Sequence, residues 1–419
     1  MKFGRWRETA LGLLAAFCFT STTAEGILAS VKSLGMGGAA TAYPLDTLSA
    51  AFNPAGIVEI GDRFDIEGDV GRFRGKSTIT GSPLPGINGN YSAFRTRDIY
   101  AGALGISKQF CVNCYPFTLG LIGYNRTISK TTYKTNFPIF GTSHLGVEYM
   151  LNTISPVLGI QIHPCHTIAI SANYYIQRLK LNGLQNIDNP LLSSNPGHVT
   201  NRGYNYSQGW GYTVGWKTQL MDCLAFGAAF TPKSKMRRFH HYSGFVPERG
   251  RIDVPQRIII GTAWTPISCF TAAFDVEWEQ LARVRAFHNP LLNSAGGSNL
   301  AGTNHGPGYG LRNRTYYRVG IDWQVNCCLS VRAGYRHSPT PLRRSQTLLN
   351  AQNVETQEDY FTAGATYALN FCNEISVFVA YSPNNKVRGK NSIPLAFGGG
   401  EVNLQQNIQV LGVSWGWMF

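Results

Sequence analysis

Charge is scarce in this sequence: of 419 residues, 14% are Asp, Glu, Lys or Arg, against about 25% in soluble domains. Beyond the N-terminus, polar residues interrupt even the most apolar stretches within about ten positions, short of the 18 or more residues of a membrane-spanning helix. A bundle of membrane helices is therefore excluded. Hydrophobic residues still reach 43%, which excludes a disordered chain. The length excludes a small fold that depends on staples.

The motifs of several function classes are also lacking. The formal charge of +14 is scattered, and its densest runs, 233–238 and 249–251, carry no basic helix or zinc-finger spacing, so nucleic acid is not an expected partner. Cys111-x-x-Cys114 is a lone pair, and His163, Cys165 and His166 lack a matching ligand cluster, so no metal or other cofactor is expected. Gly412-Val413-Ser414-Trp415-Gly416 fits a nucleophile pattern, yet it sits in the terminal strand, with no acid or His after it. No enzyme is expected.

What is abundant is glycine, 46 of 419 or 11%, above the usual 7% or so. Residues 1–24 read as an export signal: Lys2, Arg5 and Arg7 precede an apolar core, and Thr22-Thr23-Ala24 offers a small-residue cleavage site. Removing three basic and one acidic residue leaves 34 and 22, a net +12. From residue 62 the period becomes two. Phe274, Val276 and Trp278 oppose Asp275, Glu277 and Glu279. Val319, Ile321 and Trp323 oppose Arg318, Asp322 and Gln324, and Ile168, Ile170 and Ala172 oppose Ser171 and Asn173. A soluble sandwich alternates in the same way. A transmembrane barrel fits better, with the apolar set on lipid and the polar set in the lumen, because closure satisfies every backbone group.

Cysteine sets the strand count. Cys111/Cys114, Cys165, Cys223, Cys269, Cys327/Cys328 and Cys372 form six clusters, each beside turn-prone residues and between two strand-like runs. Long polar stretches lie midway between them. Six short turns separate seven hairpins, which gives a 14-stranded antiparallel transmembrane β-barrel over residues 62–419, with the turns in the periplasm and the long loops outside. In that oxidising compartment the eight cysteines are expected to form disulfides, with each other or with other envelope proteins.

Residues 25–61 break the pattern, as a Gly/Ala-rich segment able to fold inside the barrel. Here Gly35-Met36-Gly37-Gly38-Ala39, Asp46, Ala50-Ala51-Phe52 and Asn53-Pro54-Ala55-Gly56 resemble the N-terminal hatch of the outer-membrane long-chain fatty acid transporter family, which also contains aromatic-hydrocarbon channels. The resemblance continues through Val254-Pro255-Gln256, residues 274–278, Arg332 to Arg336 with Ser338-Pro339, and Tyr381-Ser382-Pro383. The end, 413–419, resembles the closing strand and terminal Phe that barrel-insertion machinery recognises.

This resemblance implies an outer-membrane barrel plugged by the hatch at 25–61. It implies capture of a hydrophobic ligand among outer loops and passive movement through the lumen, with exit past the hatch or through the wall. Gly35, Gly37 and Gly38 are expected to permit tight hatch packing, and Asn53 to Gly56 to form a defined bend. Arg318, Arg332 and Arg336 face the lumen by parity and are candidates for a ligand carboxylate, unless they merely pair with lumenal acids. Leu179, Leu181, Leu184, Leu191 and Leu192 in one loop, with Phe239, Tyr242, Phe245 and Val246 in the next, are candidates for capture. Lys233, Lys235, Arg237 and Arg238 are expected to meet lipid phosphates of the outer membrane. A nonspecific porin and a cross-linked structural barrel stand as alternatives.

Overall fold

The computed structural model describes residues 29–112, 115–291 and 299–419; the expected export signal lies outside them. Fourteen long antiparallel strands form one closed sheet. They are β1 (Arg63–Thr80), β3 (Asp98–Val112), β4 (Tyr115–Thr132), β5 (Gly146–His163), β6 (His166–Asn182), β7 (Asn205–Met221), β8 (Leu224–Thr231) and β9 (Arg257–Ile267). The circuit continues with β10 (Phe270–Glu279), β11 (Arg314–Gln324), β12 (Leu329–His337), β13 (Asp359–Ala368), β14 (Asn373–Val387) and β15 (Glu401–Met418). A short strand, β2 (Gly89–Ser92), extends β1 at its outer end. Closure comes from β1 on β15, in unbroken register from Arg63↔Met418 to Thr80↔Glu401.

Alternation follows the sequence. Val319, Ile321 and Trp323 stand exposed on the outer wall, while Arg318 and Asp322 of the alternate set are buried in the lumen, as a half-lipid, half-lumen strand requires. The six short turns fall at the cysteine clusters. The carbonyls of Cys165, Cys223, Cys269, Cys328 and Cys372 each accept the amide of the next hairpin's descending strand, at Gln219, Thr265, Gln324, Ala368 and Met418. Each of these cysteines immediately precedes an ascending strand. No disulfide forms within the chain among the seven described cysteines; Cys114 lies outside the described residues. Successive clusters sit on separate hairpins, and the adjacent Cys327 and Cys328 sulfurs lie 3.6 Å apart, well beyond a bond length of about 2.05 Å.

Residues 29–60 fill the lumen as a plug of short pieces: helix α1 (Val31–Gly35) and 3-10 turns at Thr47–Ala51 and Pro54–Glu59. Asp46 caps the first turn through Ser49, and Asn53 caps the second by accepting the Ala55 amide, with Pro54 at its first position. Above the plug the outer loops close over a separate apolar core that includes Tyr133, Phe137, Phe140, Phe239, Tyr242 and Leu348.

Candidate functional site

The plug is seated on glycine. A Cβ at Gly320 or Gly334, partners across β11 and β12, would lie 2.2–2.3 Å from the Met36 backbone. At Gly215 it would meet the Asn53 side chain at 2.2 Å, and at Gly227 the Thr41 carbonyl at 2.2 Å. Within the plug, Gly37 and Gly38 take φ of 70° and 85°, the left-handed region that side chains disfavour. Gly35 abuts Gly364, and Gly37 donates to Thr362 at 2.9 Å. Gly56 packs against Pro44, and Ala55 is fully buried. The glycine excess is thus spent where two backbones touch.

Wall carboxylates hold the seated plug. Asp275 accepts from the Ala40 and Thr41 amides and the Thr41 hydroxyl at 2.6–3.0 Å. Asp65 accepts from Thr47 in the same double fashion, and Glu67 accepts the Val31 amide at 2.8 Å. Lys32 pairs with Glu374, which also holds Arg63. Asn53 donates to Thr41 within the plug and to the Trp216 carbonyl of the wall. Burial pushes the Asp46 carboxyl above the ordinary carboxylate range; Asp65 adds to this and Lys32 opposes it.

The three arginines expected at a ligand are otherwise engaged. Arg318 lies 2.5 Å from Glu277 and packs its guanidinium on the Phe52 ring of the plug. Arg332 meets Asp322 at 3.1 Å and donates to Thr366. Arg336 lies over the Tyr360 ring at 4.0 Å. The expected capture residues divide. Phe239, Tyr242, Phe245, Val246, Leu179, Leu181 and Leu184 are buried in the cap's own core, and Leu192 packs against it, whereas Leu191 is 84% exposed. Of the expected lipid-facing cations, Lys233 pairs with Asp253 and Arg238 donates to the Glu248 carbonyl. Lys235 and Arg237 stand beside Tyr174 and the exposed Trp210 on the outer wall.

Two other arginines line a small cavity of about 40 Å³ beneath the cap. Arg126 and Arg257 are buried there among Tyr149, Leu151, Leu281 and Phe287. Arg257 Nη2 donates to the Ala51 carbonyl of the plug at 3.0 Å, while its Nε and Nη1 have no hydrogen-bond partner. Arg126 Nη2 also lacks one and stands 3.8 Å from Glu279. Glu277, the other acid of the cavity, is taken by Arg318. With Asp275 facing Arg318 across the β10–β11 register, acids and arginines here match in number. Arg257 nevertheless makes no close ion pair among the described residues and keeps two buried N–H groups without an acceptor, a cost that an arriving acceptor would relieve.

Arg257 was readable by parity, since Arg257, Ile259 and Ala263 are buried and alternate with the exposed Ile260 and Trp264. Arg126 was not. It is the extra residue of a bulge, where the register of β4 on β5 shifts between Asn125 and Thr127, and a bulge re-aims the side chain.

The same stretch leaves a gap in the wall. β3 pairs with β4 only between Leu104↔Gly123 and Val112↔Tyr115. Farther out, β3 stays with β1 as far as Asp98↔Arg72, and β4 stays with β5. The gap is spanned by Gly102 donating to the Asn125 side chain at 3.0 Å, and it is closed at the outer end by Ala93 and Arg95 bonded to Thr132. A cavity lined by Ile66, Glu67, Tyr100, Gly102 and Asn125 opens there. It links the lipid-facing Tyr100 to Glu67, the acceptor of the plug's Val31.

A family model described as "Outer membrane protein transport protein (OMPP1/FadL/TodX)" matches residues 15–416. The chain belongs to this family. Its fold is shared with a FadL homologue of Pseudomonas aeruginosa, at 14% identity over 96% of this chain and 99% of that one, TM-score 0.66. The toluene transporter TodX of P. putida matches at 14% identity over 93% and 98%, TM-score 0.67. The toluene transporter TbuX of Ralstonia pickettii matches at 13% over 93% and 98%, TM-score 0.59. No curated protein sequence matches the chain. As a member of this family the protein is an outer-membrane plugged barrel for passive transport of hydrophobic small molecules. Its work is transport, not catalysis, and Ser414 of the G-x-S-x-G stretch lies within β15.

Proposed function

We propose that the transported molecules are amphiphiles with one carboxylate, of the long-chain fatty acid type. Arg257, with two buried N–H groups lacking an acceptor beside Leu151, Leu281 and Phe287, carries this reading. A carboxylate there would satisfy Arg257 Nε and Nη1 and the free Nη2 of Arg126, and charge-assisted bonds of this kind are the strong ones. The cavity as it stands has room for the headgroup alone, and the tail would lie along Leu151, Leu281 and Phe287 once the plug yields. Because Arg257 also holds the Ala51 carbonyl, an arriving carboxylate competes with the plug for one guanidinium. Release of Ala51 would loosen the plug, and the ligand would leave sideways between β3 and β4, driven by its own gradient. A plug seated this closely disfavours the nonspecific porin.

The test is equilibrium binding of a fluorescent fatty acid to purified protein, with Arg257→Gln and Arg126→Gln variants. Arg257→Gln is expected to weaken binding by about 10-fold or more, the cost of one charge-assisted contact, and to leave toluene binding unchanged. Equal loss for fatty acid and toluene, or no loss for either, would overturn the carboxylate reading. Equal passage of small polar solutes through vesicles would overturn selective transport itself.

A further inference from the structure

Along the lipid-facing side of β1 the residues run Phe64, Ile66, Gly68, Val70 and then Arg72, Arg74, Lys76. Phe64 to Arg74 spans ten residues, about 34 Å along a strand and about 26 Å along the membrane normal at a tilt of about 40°, close to the roughly 25 Å apolar band of such barrels. Neighbouring strands change at the same level. On β15 the outward series Trp417, Trp415, Val413, Leu411 gives way to Gln409, Asn407 and Gln405, with Arg74↔Asn407 and Lys76↔Gln405 directly opposed. On β14 the change follows Tyr381, at a register shift between Ser382 and Asn385. Arg74 and Lys76 therefore stand at the headgroup level of the outer leaflet.

They do not stand on a flat surface. The overhanging β2 segment and the β14 irregularity flank an open groove of about 520 Å³, lined by Arg74, Lys76, Arg97, Asn90, Asn384 and Asn407, with buried Phe94 also contributing. The adjacent Arg72 is already neutralised by Asp98 at 2.8 Å. Glu401 lies at the outer end of β15, across from Thr80. Three cations thus converge in one concavity with carboxamides beside them and no acid in the lining.

We infer that this groove binds a phosphorylated glycolipid of the outer leaflet, with a headgroup phosphate on Arg74, Lys76 and Arg97 and saccharide hydroxyls on Asn90, Asn384 and Asn407. Guanidinium groups match phosphate geometry, and carboxamides both donate to and accept from hydroxyls. The site lies on the outside of the barrel, separate from the lumenal cavity, and is independent of which solute is carried.

Native mass spectrometry of the detergent-solubilised barrel with added diphosphoryl lipid A tests it. Wild type is expected to hold a lipid A adduct, and Arg74→Gln/Lys76→Gln/Arg97→Gln to lose it at least 10-fold while keeping the heat-dependent gel shift of a folded barrel. Lys235→Gln/Arg237→Gln, which removes two cations from the opposite wall, is expected to keep the adduct. Adduct levels equal in wild type and the triple variant would overturn the site. Equal loss from both sets of substitutions would show diffuse charge instead of a built groove. Phosphatidylglycerol bound as tightly as lipid A, or full competition by inorganic phosphate, would overturn the glycolipid assignment.

Discussion

The plug and the cap occupy the same barrel and are held by opposite means. The plug rests on bare wall backbone, with carboxylates such as Asp275 and Asp65 receiving its amides. The cap above it is a packed apolar core, in which Phe137 stacks on Phe140 and Tyr133 meets Phe137 edge-on. Hydrogen bonds can be exchanged one by one for bonds to a ligand or water at small net cost, whereas a close-packed core loses all its contacts when opened. This contrast supports our proposal that the plug is the part that moves. In that proposal the cap holds the shape of the entrance.

The largest effect expected from this contrast comes from filling the plug's seat. Gly334→Val places a branched side chain where even a Cβ would stand 2.2 Å from Met36, and the clash is with backbone, which cannot rotate aside. The barrel should still close, since valine suits a strand. Conductance and vesicle permeability to small polar solutes are expected to rise at least 10-fold. Unchanged permeability would mean that the plug tolerates displacement without opening a path, and the division of labour drawn here would fail.

Weakening the cap should act on stability instead. Phe239 is fully buried among the loops, and Phe239→Ala is expected to cost about 3–5 kcal/mol, as large-to-small core substitutions do. Denaturant unfolding measures this. Polar-solute permeability of the folded fraction should stay at the wild-type level; a rise matching that of Gly334→Val would erase the distinction between cap and plug.

This contrast also separates what the sequence could reveal from what it could not. The strand count was legible because each short turn carries a cysteine immediately before its ascending strand, so Cys165, Cys223 and Cys269 mark the hairpins. Lumenal acids such as Asp275 and Glu277 were legible by parity. Their partners were not, since the assignment of Arg318 to Glu277 depends on the register between β10 and β11, which no single strand encodes. Parity itself fails at Arg126, where β4 carries one residue more than its partner. In the loops, Phe239 and Tyr242 look like exposed apolar groups in a polar stretch, and only the convergence of distant loops onto Phe137 and Phe140 buries them.

Leu191 is the exception within the cap, and it sharpens the comparison at the small end. With 84% of its surface exposed, it contributes little to the loop core, so Leu191→Ala should change stability by no more than about 0.5 kcal/mol. Its side chain is free to meet an apolar ligand before the entrance, and truncation removes up to about three carbons of contact. Uptake at limiting fatty acid is expected to fall about two- to three-fold, while the affinity of the buried arginine cavity stays the same. A loss of affinity at that cavity would tie Leu191 to the interior, whereas a loss confined to the uptake rate would place capture at the outer tip, above a cap that otherwise stays shut.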